Sequence, residues 1–260
     1  MFDKDSLTKH IKDQDTVFKM RQVIDKIQIT QDNHIITHTD FLDPYQRKMA
    51  VSIINRFNDI SFLEDGGDET SERKVIAIYP NYMNEIDINI GLSYLLINYK
   101  DEGLTHKDFL GALLSLGIKR EKIGDIYSSN HETIVIVKEE ISDFLILNLE
   151  QVKNSKVQVE KIEKSRINKP LEDYIEESHF ISSFRLDTFI SQAYKLSRNE
   201  STDVIKSGLV KVNHEKIEKA SKELEENDLV SVRGKGRVTL YKVNGQSKKG
   251  RYNIVLRKLK

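Results

Sequence analysis

Residues 205–213 read Ile-Lys-Ser-Gly-Leu-Val-Lys-Val-Asn, and the change of period inside them decides the fold of the last third of the chain. Up to Ser207 the pattern is helical. Gly208 supplies the stop that helix C-termini favour, Val210 and Val212 alternate as a strand, and Asn213-His214 makes a turn. The helix also carries a start signal. Ser197 with Glu200 three positions on forms a capping box, in which hydroxyl and carboxylate each satisfy a backbone N–H of the first turn. A shorter amphipathic helix precedes it, with Leu186, Phe189, Ile190 and Ala193 as its apolar stripe. Downstream, Leu229, Val230 and Val232 predict another strand, and Arg233-Gly234-Lys235-Gly236-Arg237 a tight basic loop. Residues 238–243 and 252–256 predict a final hairpin that turns near Asn244-Gly245.

The charge of the chain is uneven. Its 41 basic and 41 acidic residues cancel, yet residues 181–260 hold 18 Lys and Arg against 9 Asp and Glu. Asp228 is the last acid, and ten basic residues follow it. Such asymmetry points to a polyanionic partner for the basic part, against the alternative of a solvated basic tail.

Arg185-Leu186-Asp187, Ser197-Arg198, the 205–213 segment, Asp228-Leu229-Val230-Ser231-Val232 and the 233–237 loop follow one another in order. Together they resemble the alpha-L motif, the small RNA-binding domain named after the fourth protein of the small ribosomal subunit. Two positions depart from that family: His214 and Asn227 stand where glycine is usual, and both residue types tolerate left-handed backbone better than most. Arg198 falls in the first turn of its helix, where free backbone N–H groups favour a phosphate. The candidate RNA contacts are Arg185, Ser197, Arg198, Lys206, Lys211, Asn213, Arg233, Lys235 and Arg237. For Arg185 an ion pair inside its own domain is an equal alternative, and Asp187 is read as structural.

The rest of the chain reads as α+β. Residues 5–29 predict a helix, and a second begins at Pro44 with Asp43 as its cap. The acidic loop 64–69 marks a boundary. Strands are expected at 74–79, 86–99, 125–127, 133–137 and 157–162, and helices at 105–116 and 142–149. The resulting division is a mainly helical region 1–72, a central α+β domain 73–164, a linker 165–182 and the RNA-binding domain with its basic hairpin at 183–260. Phe41-Leu42-Asp43-Pro44, the stretch 105–114, Leu116-Gly117-Ile118-Lys119-Arg120 and Ile123-Gly124-Asp125-Ile126 resemble the YlmH family of bacterial proteins over nearly the whole chain. The resemblance implies an RNA-recognition-like central domain and binding of rRNA and tRNA. It also implies a task on large ribosomal subunits obstructed by peptidyl-tRNA. His106, Lys119 and Arg120 form a secondary set of candidate RNA contacts, although a structural role is the favoured reading of His106 with Asp108. Tyr79 and Tyr94 are the strand aromatics available for base stacking, and core packing is the expected role of both.

Other chemistries find little support. The chain has no cysteine, which removes disulfides, thiolate metal sites and a thiol nucleophile. His34 and His38 lie four apart in a β-favouring stretch, roughly 13 Å if extended, too far to share an ion. No apolar run approaches a membrane span. No cofactor-binding loop is present, and a cytoplasmic, monomeric, non-catalytic binder is expected. Two alternatives remain: an RNA-modifying enzyme that uses the C-terminal module for targeting, and a cell-division interaction protein.

Overall fold

In the computed structural model, which describes residues 2–170 and 173–259, the N-terminal apolar stripe forms two helices rather than one. Helix α1 (Lys4–Thr8) ends before α2 (Gln14–Asn33) begins, because Asp13 sits in extended backbone and its carboxylate accepts from the Thr16 N–H at 2.9 Å. That cap starts a new helix, which buries Thr16, Met20, Val23, Ile24 and Ile27 and leaves Phe18 64% exposed. Strand β1 (Thr37–His38) follows, then α3 (Pro44–Ile54), opened by a capping box of Asp43 and Gln46 with Pro44 at the start. Strands β2 (Ile60–Asp65) and β3 (Val75–Pro80) complete an antiparallel sheet of order β1-β3-β2. Met20, Ile24, Ile27, Ile53 and Ile54 of the helices pack on Ile76 and Ile78 of β3. The region expected to be mainly helical therefore contains a sheet, and a boundary at 72/73 would separate two strands paired from Ile60↔Pro80 to Asp65↔Val75. The acidic loop between them closes on itself: the Gly67 N–H donates to Asp65 and the Asp68 N–H to Ser71.

The next elements are β4 (Leu92–Tyr99), α4 (His106–Ser115), β5 (Ile123–Ser128), β6 (Glu132–Lys138), α5 (Ser142–Asn148), β7 (Gln151–Val152) and β8 (Ser155–Ile162). Their antiparallel sheet runs β5-β6-β4-β8-β7. Without the short β7 this is the split β-α-β-β-α-β arrangement of RNA-recognition and ferredoxin-like domains, as the resemblance implied. Strand β4 starts six residues later than its alternation suggested: residues 85–87 form a 3-10 turn, and Ile86 is 93% exposed. One face of β4 sends Leu95, Ile97 and Tyr99 against Phe109, Leu113, Leu145 and Leu149 of the helical layer. The other sends Leu96 and Tyr94 against Phe41, Val75 and Ile167.

These elements lie in one compact unit, residues 1–170; residues 171–260 form another. The second holds β9 (Tyr174–Ile181), α6 (Leu186–Ala193), α7 (Arg198–Lys206), β10 (Val210–Val212), β11 (Glu215–Lys216), β12 (Leu229–Val232), β13 (Gly236–Gln246) and β14 (Tyr252–Leu259). All pairings of its sheet, β11-β10-β12-β13-β14-β9, are antiparallel. Ile181, Val210, Val212, Val230, Val232, Val238, Leu240, Ile254 and Leu256 line one face and pack on Leu186, Phe189, Ile190 and Ile205. Strand β9 lies where a linker was expected. Among its residues only Ile181 is buried, so its pairing with β14 left little periodic trace. The final hairpin reverses at residues 247–250, where the Ser247 N–H donates to the Arg251 carbonyl, and Asn244-Gly245 lies inside β13.

Lys138, at the end of β6, is 6% exposed and donates to the Thr39 carbonyl at 3.2 Å. Burial pushes its ammonium down to about 8 from the ordinary 10.5. Between those values the unfolded chain binds a proton that the native state sheds, so the Lys138 contribution to stability rises with pH across this window and is lost as pH falls through it. Urea titrations from pH 8 to 10.5 are therefore expected to show the wild type gaining stability relative to Lys138→Met. A pH-independent difference would contradict the burial.

Candidate nucleic-acid interface

The site grows from the junction of α6 and α7. At the start of α6, Arg185 donates from Nε and Nη2 to the two carboxylate oxygens of Asp187, at 3.1 and 2.6 Å. That bidentate pair, with the Thr188 N–H, holds the buried Asp187 carboxyl below the usual range. At the end of α6 the Tyr194 hydroxyl reaches the carbonyls of Val230 (2.9 Å) and Gly236 (3.1 Å), which fixes the helix to the β12–β13 loop. Burial raises the Tyr194 pKa, so its phenol stays protonated and able to donate. Lys195 takes left-handed backbone (φ 54°), and the Ser191 hydroxyl donates to the Leu196 carbonyl, which turns the chain into α7.

The capping box of α7 is formed: the Ser197 N–H donates to Glu200 at 2.8 Å, and the Glu200 N–H donates to the Ser197 hydroxyl at 3.2 Å. Ser197 holds the Glu200 carboxyl low, and the Lys235 charge adds to the effect. The tight basic loop thus lies within electrostatic reach of the first turn of α7. Its own shape comes from Gly234 and Gly236, both at positive φ (80° and 89°), and from the Arg233 N–H donating to the Leu209 carbonyl. Arg198, Arg233 and Lys235 are exposed. Lys206, also exposed, ends α7 about 12 Å along the axis from Arg198.

The remaining candidates are distributed differently. Lys211 and Arg237 are both in register with Ser231 and alternate with buried valines, so they lie on the sheet face opposite the helices. Asn213 and His214 have φ of 48° and 69°, the pair of positive values that a two-residue hairpin turn uses. The Asn213 amide accepts from the Leu229 N–H (2.9 Å) and donates to Asp228 (2.6 Å). Arg185, Ser197 and Asn213 are thus engaged inside the fold, while Arg198, Lys206, Arg233 and Lys235 present exposed cations.

The secondary set does not converge. His106 begins α4, whereas Lys119 and Arg120 follow its far end. Asp108 pairs with Lys153 at 2.9 Å and accepts from Thr105, which brings its carboxyl down to about 2. The Arg120 guanidinium turns inward to the carbonyls of Ile123 and Gly124, and Lys119 is exposed. Tyr79 is 4% exposed, and burial pushes Tyr94 and Tyr127 up to about 12. The sheet face that would stack bases in an RNA-recognition fold is occupied by Phe41, Val75 and Ile167. Among the described residues no group of His, Cys, Asp and Glu could hold a metal ion; His38 instead contacts the Asn89 carbonyl at 2.6 Å. Also among them, no helix is long and apolar enough to cross a membrane. The sequence reading missed Tyr194, whose signal was its place four residues after Ile190 on the α6 stripe.

Two short helices on one face of an antiparallel sheet, with a glycine-shaped basic loop beside a capped helix start, define an RNA-binding module. Residues 184–230 match the family model described as "S4 domain", residues 84–166 "Putative RNA-binding domain in YlmH", and residues 16–83 "YlmH, N-terminal". Over 254 residues the chain is 32% identical to "Ribosome-associated protein quality control protein P2" of Bacillus subtilis (strain 168), covering 97% of this chain and 98% of the relative. The chain belongs to the YlmH family. A solved structure titled "Cell division protein ylmH from Streptococcus pneumoniae" shares its fold, with a TM-score of 0.54 and 17% identity over 60% of this chain and 97% of that one.

Tyr194→Phe keeps the ring and removes the hydroxyl that joins α6 to the basic loop. Two carbonyls then lose a donor, and a loss of about 1–2 kcal/mol in unfolding free energy is expected by urea titration. An unchanged midpoint would mean that the loop is held by other contacts.

Proposed function

We propose that this protein is a non-catalytic RNA-binding factor of ribosome-associated quality control, gripping structured rRNA and tRNA on large ribosomal subunits that carry stalled peptidyl-tRNA. The observation that carries this reading is the basic end of the C-terminal unit. Exposed Arg198 stands at the first turn of α7, with Arg233 and Lys235 on a loop that Tyr194 fixes beside it. Contacts of this kind place a protein on phosphates and 2′-hydroxyls and read shape more than sequence. The name and near-complete coverage of the Bacillus subtilis relative support the ribosomal setting. Lys206, Lys211 and Arg237 extend the positive surface away from that end. Asp187, the acid of the Arg185-Leu186-Asp187 string, is 3% exposed and pairs with Arg185, so it does not offer a free carboxylate to an RNA-modifying reaction.

Co-sedimentation of the full chain with purified large subunits across a salt series tests the reading. Arg198→Ala and Lys235→Ala are each expected to weaken binding and to lower the slope of log K against log salt by about one. Ser197 and Glu200 remain to cap α7, so the variants should unfold like the wild type. Wild-type binding by both variants at near-physiological salt would overturn the assigned contacts.

A further inference from the structure

The alternation that sends Ile181, Leu240, Ile254 and Leu256 to the helices sends another set to the opposite face of the C-terminal sheet. On that face β9 carries Tyr174, Glu176, Ser178 and Phe180, and β14 carries Asn253, Val255, Arg257 and Leu259. Helices α6 and α7 pack on the other side, and the two aromatic rings are open: Tyr174 is 43% exposed and Phe180 45%. The two rings look out from the same sheet face, one near each end of β9.

The charge around them selects its chemistry. Glu176 and Glu177, the acids of β9, are taken up by Arg257 (2.6 Å) and Lys258 (2.8 Å). Lys242, Lys248, Lys249 and Arg251 are exposed on β13 and the turn after it; that stretch of sequence has no acid, and the Glu226 carboxylate that accepts from the Val243 N–H is the one placed against it among the described hydrogen bonds. The Arg251 guanidinium donates to the Phe180 carbonyl at 2.8 Å, which brings that basic turn to the ring. At the other end Arg257 lies 3.2 Å over the Tyr241 ring and 5.0 Å from the centre of the Tyr174 ring. Rings interleaved with cations form the platform on which unpaired bases stack while phosphates meet Lys and Arg. Paired bases keep their faces inside the helix and gain nothing from such rings.

We propose that this open sheet face is a second RNA contact that takes single-stranded RNA. Bases stack on Phe180 and Tyr174, and phosphates lie along Lys242 and the turn at 248–251. The inference rests on the RNA-binding reading above and adds an unpaired segment to the structured element held near Arg198. The two rings are six residues apart on one strand, roughly 20 Å, so one base cannot touch both and a run of several nucleotides is required.

The test uses the full chain and fluorescein-labelled oligouridylate of about ten nucleotides in anisotropy titrations at about 50 mM salt. Phe180→Ala is expected to weaken binding at least about fivefold, Tyr174→Ala in the same direction, and Phe180→Tyr to stay within about twofold of the wild type. Arg198→Ala is expected to weaken large-subunit binding more than oligouridylate binding, and Phe180→Ala to do the reverse. Ultraviolet cross-linking mapped by mass spectrometry should place uridine on Phe180 or Tyr174. Wild-type affinity for oligouridylate in Phe180→Ala, or no oligouridylate binding by the wild type, overturns this inference. If Arg198→Ala weakens subunit binding in the same experiments, the primary reading stands alone. Thermal melts of each variant separate lost folding from lost contact, and Phe180→Tyr, which keeps ring and size, distinguishes stacking from packing.

Discussion

Strand β4 has apolar partners on both sides, and much of the molecule follows from that. Its odd-numbered residues Leu95, Ile97 and Tyr99 face the helices, and its even-numbered residues face Phe41 and the N-terminal sheet. Phe41 is fixed there by its backbone: its N–H donates to the Glu121 carbonyl, and its carbonyl accepts from Arg73. A Cβ at Gly124 would come within 2.6 Å of the Phe41 ring, so glycine is required at that crossing. The Ile123-Gly124-Asp125-Ile126 string that supports the family resemblance is therefore a packing seam. Asp125 closes it by accepting from the N–H groups of Glu72 and Arg73. The RNA-recognition topology is retained while its usual stacking platform has become an internal joint.

That constraint moves attention to the C-terminal sheet, which is one-sided. Its inner face is filled by two helices, and its outer face keeps rings and cations at the surface. A one-sided antiparallel sheet is the ordinary soluble form. What distinguishes this one is what the outer face carries, and where its neutralising acids lie. Glu176 and Glu177 sit at the Arg257 end and Glu226 caps the Val243 N–H of β13, which leaves Lys248, Lys249 and Arg251 of the turn as the exposed cations of the hairpin end. The charge asymmetry visible in the sequence thus resolves into two places, the loop beside α7 and the hairpin beside Phe180.

Elements marked by two local signals were legible in the sequence. Helix α7 had a capping box and a glycine stop, α3 had Asp43 and Pro44, and the β10–β11 turn survived with His214 in left-handed backbone. Elements defined by long-range pairing were not. β9 joins β14 across some eighty residues with a single buried side chain, and the apolar run of β3, which pairs with β1 and β2, does not say which strands it joins. The break between α1 and α2 was hidden because apolar spacing resumes after Asp13. For the candidate site, the cations on a capped helix and a glycine loop were readable as positions, and the structure shows Arg198, Arg233 and Lys235 exposed. Tyr194 and the outer-face aromatics were not, since an aromatic at the end of a stripe or on an edge strand looks the same whether it packs, fastens or waits for a ligand.

The Arg185-Leu186-Asp187 triplet shows why a string of reactive residue types does not establish chemistry. Leu186 is fully buried, and its N–H donates to the Lys222 carbonyl at 2.8 Å. The Asp187 N–H donates to the Ala220 carbonyl, its carboxylate accepts from the Thr188 N–H, and Arg185 neutralises it. A buried carboxylate that loses its partner is costly, so this pair is set up to be kept rather than exchanged for a substrate. The triplet fastens the start of α6 to the segment at 220–222, as Tyr194 fastens its end to the basic loop. Both ends of that short helix are held by specific polar contacts, and the direction in which α7 leaves it, with Arg198 in its first turn, follows from them.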